Sequence, residues 1–150
     1  MDISHEKLEQ WIDKLGSALI ASVDEEGFPN VKAMLPPRKR EGLEVFYFST
    51  NTSSRRVAQY RANPKASIYF YEKGKICYRG LMLKGTMAVL EDAESKQMIW
   101  RMGDQIYYRK GVTDPDYCVL RFTATEGRYY RDLHTESFSV KSVKGMDNQP

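Results

Sequence analysis

The sequence predicts a mainly β fold: a small antiparallel β-barrel, closed or split, with helices inserted at three points. Short apolar runs with strand-like alternation recur along the chain, "SALIASVD" and "LEVFYFST" among them. Most are separated by turn residues rather than helices, which favours hairpins over a doubly wound sheet. One long run, "KICYRGLMLKGTMAVLED", carries Gly80 and Gly85 where a strand bulges or bends as a barrel closes.

The elements follow in order. From Ile3 to Leu15 the apolar positions Leu8, Trp11, Ile12 and Leu15 recur at helical spacing behind Ser4, an N-cap, and Gly16 ends the helix. "SALIASVD" is a strand, "EEGFPN" a turn, and "VKAML" a second strand that Pro36-Pro37 stops. "RKR" at 38–40, followed by Glu41-Gly42, reads as a solvated hairpin tip. "LEVFYFST" leads through a polar turn into a helix from about Ser53 to Arg61, closed by Asn63-Pro64. "KASIYFYE", a turn at Lys73-Gly74 and the long glycine-bearing run form a hairpin. "AESKQMIWRMGDQIYYRKG" is helical, in two pieces broken near Gly103. "DYCVLRFTATEGRYYRDLHTESFSVKSV" returns to strands, with a turn expected at Glu126-Gly127.

At 150 residues the chain is expected to form a single domain over 1–143, with 144–150 as a frayed tail. An apolar share of 41% beside a charged share of 29% sets it apart from disordered chains, and no apolar run approaches the roughly 20 residues of a membrane helix. The polar opening "MDISHEKLEQW" is unlike a signal peptide, so a cytoplasmic location is expected, with Cys77 and Cys118 as buried, reduced thiols in strands. A net charge of +3 fits a local anion site or ordinary surface bias better than a nucleic-acid surface.

The stretch Ser49-Thr50-Asn51-Thr52-Ser53-Ser54-Arg55-Arg56 holds the candidate site. A helix N-terminus presents unpaired N–H groups and partial positive charge, so phosphate binds there readily. The hydroxyls of Thr50, Thr52, Ser53 and Ser54 add donors, and Arg55 and Arg56 add planar forks matched to phosphate oxygens. Two neighbouring cations at that positive end call for an anion. Serine caps and surface arginines also occur without one, so the stretch alone leaves both readings open. Lys32 is expected on a strand next to "VFYFST", within reach of the same phosphate, with the Ala33–Met34 backbone lining a neighbouring groove; as an outward strand lysine it would be ordinary.

The ordered set "GFPNVKAML…VFYFSTNTSSRRVAQYRANPKASIYF…LMLKGTMAVLED" resembles the pyridoxamine 5′-phosphate oxidase-like, FMN-binding split-barrel family, and within it the general stress protein branch. The resemblance covers about residues 5 to 130. It implies FMN as cofactor and a homodimer with FMN at the subunit interface, touched by both chains. It carries the family's basic strand residue onto Lys32 (arginine is usual) and the backbone after it onto Ala33 and Met34. The family's turn falls on Ser49, Thr50 and Asn51, and its Ser-Arg-Lys phosphate anchor on Ser54, Arg55 and Arg56. At the C-terminal end the match stops. The vitamin-processing members carry Arg-x-His, whereas Arg131 and His134 stand one residue too far apart, so the resemblance does not extend to pyridoxamine-phosphate oxidation itself.

The expected function is an FMN-dependent oxidoreductase of unknown substrate, with a stress-related role implied by the branch. The alternatives are a flavin-binding sensor or carrier without turnover, a same-fold haem or deazaflavin binder, and a nucleic-acid or partner-binding barrel using "RKR" and "SSRR". No side chain stands out as a general acid or base. His5 and His134 lie near opposite ends, without a carboxylate or cysteine cluster at metal spacing, so no metal site is expected. Trp100, Tyr107 and Tyr108 either pack a helix or flank a planar ligand across a dimer interface.

Overall fold

A computed structural model describes residues 3–140; the expected tail at 144–150 lies outside the described residues. Eight strands form one antiparallel sheet: β1 (Ala18–Val23), β2 (Pro29–Met34), β3 (Lys39–Glu41), β4 (Val45–Asn51), β5 (Lys65–Lys73), β6 (Tyr78–Leu90), β7 (Tyr117–Arg131) and β8 (His134–Ser139). Their order is β2-β1-β5-β6-β7-β4-β3, with β8 paired to β7 off that path. β2 and β3 end the sheet without pairing to each other, so the barrel is split rather than closed.

Alternation decides which side chains fill it. Ala18 and Ile20 of β1, Phe46 and Phe48 of β4, Ile68 and Phe70 of β5, Leu81 and Leu83 of β6 and Leu120 and Phe122 of β7 are buried in a common core. Helix α1 (His5–Ile12), capped by the Ser4 side chain accepting from the Lys7 N–H, lays Leu8, Trp11 and Ile12 on that core. Helix α2 (Arg55–Ala62) adds Val57 and Tyr60. Helix α3 (Ala93–Ile99) packs against β7, where Trp100, Tyr108 and Tyr117 form an aromatic cluster.

The β6–β7 pairing shifts register between Lys84 and Gly85. A Cβ on Gly85 would stand 1.9 Å from the Thr123 carbonyl oxygen, so the bulge accepts only glycine.

Four sequence expectations are corrected here. β7 runs straight through Glu126-Gly127, and the turn falls at Asp132-Leu133, both with positive φ (48° and 70°). Gly127 is a packing glycine: a Cβ there would meet the Phe138 ring at 2.3 Å. The "RKR" run is no solvated tip. Arg38 makes a bidentate pair with Asp104 (2.8 and 2.9 Å), and Arg40 binds Glu9 and Asp13, tying β3 to the segment after α3 and to α1. Cys77 is exposed in the β5–β6 loop, while Cys118 is buried; both are free thiols. The second helical piece after Gly103 shrinks to two 3-10 turns, Asp104–Ile106 and Gly111–Thr113, with Gly103 left-handed at φ 103°. Among the described residues no helix is long and apolar enough to cross a membrane.

Candidate functional site

The site is built where α2 meets β2. Ser54 caps α2, its hydroxyl accepting from the Val57 N–H, and this fixes the direction in which the next two residues leave the turn. Helix α2 is held to β1 by the Ser22 hydroxyl donating to the Gln59 side-chain oxygen and by the Tyr60 hydroxyl donating to the Ala21 carbonyl. β2 lies beyond β1 as an edge strand, with Asn30, Lys32 and Met34 paired to Ser22, Ile20 and Ala18. Paired residues share a sheet face, so those three side chains stand on the face that α2 covers.

Between helix and strand lies a cavity of about 250 Å³ lined by Ile20, Ser22, Asn30, Val31, Lys32, Ser54, Arg55, Arg56 and Gln59. Among the described residues no acidic side chain lines it. Arg56 is 8% exposed, and its Nη1 donates to the Met34 sulfur at 2.6 Å. Lys32, Arg55 and Arg56 form no ion pair among the described residues, unlike Arg38, Arg40, Arg61 and Arg79. Burial pushes the Arg56 pKa down, partly countered by the nearby Tyr60, whose own pKa burial raises to about 12. A buried guanidinium with no carboxylate is costly, and a bound anion would offset that cost.

The expected residues divide accordingly. Lys32, Ser54, Arg55 and Arg56 share the cavity, and Met34 joins it through Arg56. Ala33 alternates away from Lys32 and Met34, exposed and paired to Leu19. Ser49 and Thr50 do not line the cavity and point to opposite faces of β4, Thr50 being buried in register with Cys118 and Ser49 half-buried in register with Val119. Lys32 was expected beside "VFYFST", yet β2 pairs with β1 and β4 with β3 and β7, so α2 rather than strand adjacency carries the arginines to the lysine.

Sequence reasoning missed Asn30, Ser22 and Gln59. Two of them were legible: Asn30 is two residues from Lys32 on a strand, and Gln59 is one helical turn from Arg55 and Arg56. Ser22 reaches the site only through sheet pairing. Trp100 and Tyr108 belong to the packing cluster on β7, whereas Tyr107 is 82% exposed. Arg131 and His134 face one another across the β7–β8 turn, away from the cavity lining. Among the described residues no group of three His, Cys, Asp or Glu side chains could hold a metal ion.

Comparison with known proteins gives consistent matches. A family model described as "Pyridoxamine 5′-phosphate oxidase" matches residues 4–131. A curated pyridoxine/pyridoxamine 5′-phosphate oxidase from Rhodopseudomonas palustris is 32% identical over 76 residues, 51% of this chain and 34% of the relative, so the match spans about a third of that protein's length. A crystal structure from Clostridium acetobutylicum, of a protein related to general stress protein 26 of B. subtilis, superposes with a TM-score of 0.80 at 39% identity, covering 92% of this chain and 97% of the other. A haem-binding protein from Mycobacterium smegmatis shares the fold at a TM-score of 0.72 and 15% identity, over 93% of this chain and 59% of that one.

Proposed function

This chain belongs to the pyridoxamine 5′-phosphate oxidase family, and from that premise we propose that it binds FMN non-covalently, as a homodimer, and serves as a flavin-dependent oxidoreductase. The observation that carries the reading is the carboxylate-free cavity around Lys32, Arg55 and the buried Arg56. Three cations there suit the dianionic monoester at the end of FMN. Arg55 and Arg56 would hold the phosphate oxygens as forks, Lys32 as a mobile point charge, and the first N–H groups of α2 as fixed donors.

The cavity takes a phosphate and the start of its carbon chain but not a tricyclic ring. The ring would therefore leave along β2, past Met34 and the Ala33 backbone. When bound, FMN supplies the hydride chemistry; the protein supplies orientation and electrostatics. No side chain around the cavity is placed as a general acid or base, so none is assigned a catalytic role. A dimer is supported by β2 itself. It is an unpaired sheet edge flanked by exposed apolar groups, Phe28 at 63%, Val31 at 66% and Leu35 at 76%, a combination that single chains avoid. In that arrangement a second chain would cover the ring that the small cavity leaves outside. Ser49 and Thr50, which this protomer does not bring to the cavity, would contribute only if the end of β4 reaches the flavin held by the second chain.

The haem alternative is the weaker one. The two histidines, His5 and His134, are not among the cavity residues, so the ordinary axial ligand is missing from it. The test is the absorption spectrum and mass of the small molecule that co-purifies, with thermal unfolding in added FMN and in riboflavin. Flavin absorption, and a melting temperature raised by FMN well above the effect of riboflavin, is the expected result. A colourless protein whose unfolding ignores FMN would overturn the proposal. Anaerobic stopped-flow mixing with reduced nicotinamide then separates an oxidoreductase, which bleaches, from a carrier, which does not.

A further inference from the structure

A second cavity, of about 430 Å³, adjoins the phosphate cavity and shares Asn30, Arg55 and Gln59 with it. Its lining differs in sign: Asp24, Glu25 and Glu26 stand on the β1–β2 turn at its mouth. Along β2 the side chains that share one face therefore read in order Asn30, Lys32, Met34, from the acidic cavity through the basic one to the thioether. The acidic turn is held by internal hydrogen bonds. The Asp24 carboxylate accepts from the Glu26 and Phe28 N–H groups and from the Asn30 amide, which hold its pKa below the ordinary carboxylate value, led by the Asn30 bond. Glu25 and Glu26 are exposed and make no side-chain hydrogen bond or ion pair among the described residues. Among the described residues no cation pairs with either carboxylate.

Resting on the FMN reading above, we infer that Glu25 and Glu26, backed by Asp24, set the far limit of the ligand: the site takes a terminal phosphate monoester and rejects a flavin extended through a pyrophosphate. A phosphate held by Arg56 and Lys32, with its ring leaving past Met34, has its free oxygens toward Asn30. Esterifying that end, as in FAD, drives a second phosphate into the cavity walled by the three carboxylates. It also spreads the negative charge, so that less of it meets Lys32, Arg55 and Arg56. Arg55, on the boundary of both cavities, is the only cation among the described residues that lines the acidic one. The second phosphate thus meets one cation and three anions, where the first meets three cations and none.

The test is the ratio of FAD to FMN dissociation constants, from flavin fluorescence at low ionic strength, for flavin-stripped wild type, Glu25→Gln/Glu26→Gln and Glu25→Lys/Glu26→Lys. Both positions are exposed on a turn that Asp24 holds, so the variants keep the fold. Wild type is expected to bind FAD at least about tenfold more weakly than FMN. The ratio should fall at least about threefold in the glutamine pair and further in the lysine pair, with FMN affinity changing much less. A ratio unchanged across all three proteins, or a wild-type ratio near one, overturns the inference while leaving FMN binding intact. Failure of wild type to bind FMN at all sinks the parent reading and this one with it.

Discussion

Replacing Arg56 by methionine separates the two roles a buried guanidinium can have. Arg56 is 8% exposed, touches the Met34 sulfur and has no carboxylate partner among the described residues, and burial already pushes its pKa down. Methionine keeps much of the apolar stem and removes the charge, relieving a desolvation cost of about 1 kcal/mol or more. For a chain of this size that corresponds to a melting temperature about 2–4 °C higher without flavin. With FMN the sign reverses. A charge-assisted hydrogen bond to phosphate is worth about 1.5–3 kcal/mol, so the dissociation constant should rise roughly 10- to 150-fold. Thermal unfolding of flavin-stripped wild type and Arg56→Met, each with and without FMN, reads both effects in one assay. A variant that melts several degrees lower without flavin and binds FMN within about twofold of wild type would refute the reasoning, because Arg56 would then be a packing residue.

The remaining predictions concern the frame. Asp104→Asn breaks the bidentate pair with Arg38, whose side chains are 14% and 10% exposed, and should cost about 3 kcal/mol at neutral pH by chemical denaturation. The Arg38 hydrogen bonds hold the Asp104 pKa below its ordinary 3.8, so this stability is present in full above that value and is lost as pH falls through the lower folded value. The gap between wild type and variant should therefore close on acidification; a constant gap would refute the assignment. Gly85→Ala drives a Cβ into the Thr123 carbonyl oxygen and should cost about 2 kcal/mol or leave the protein insoluble, which soluble yield and urea unfolding measure. A thiol reagent on the native protein should modify Cys77 promptly and spare Cys118, whose pKa burial raises, until denaturant is added.

The sequence by itself determined most of the strands, the β1–β2 and β5–β6 hairpins and the placing of two arginines in the first turn of a helix, because each depends on local spacing or backbone geometry. It also carried the family resemblance, through residues in fixed order. It misplaced the β7 turn because Gly127 looks like a turn glycine, when it is small to admit the Phe138 ring directly opposite it on β8. It misread "RKR" because the carboxylates that hold Arg38 and Arg40 stand far along the chain or on another helix.

Only the tertiary structure decided that Lys32 meets the arginines through α2 lying on β1, and that Arg56 is buried without an acid while Arg55 is exposed. Strand order decides which distant residues share a face, and burial decides which charges lack water. Both are long-range outcomes of packing, which no stretch of residues encodes alone.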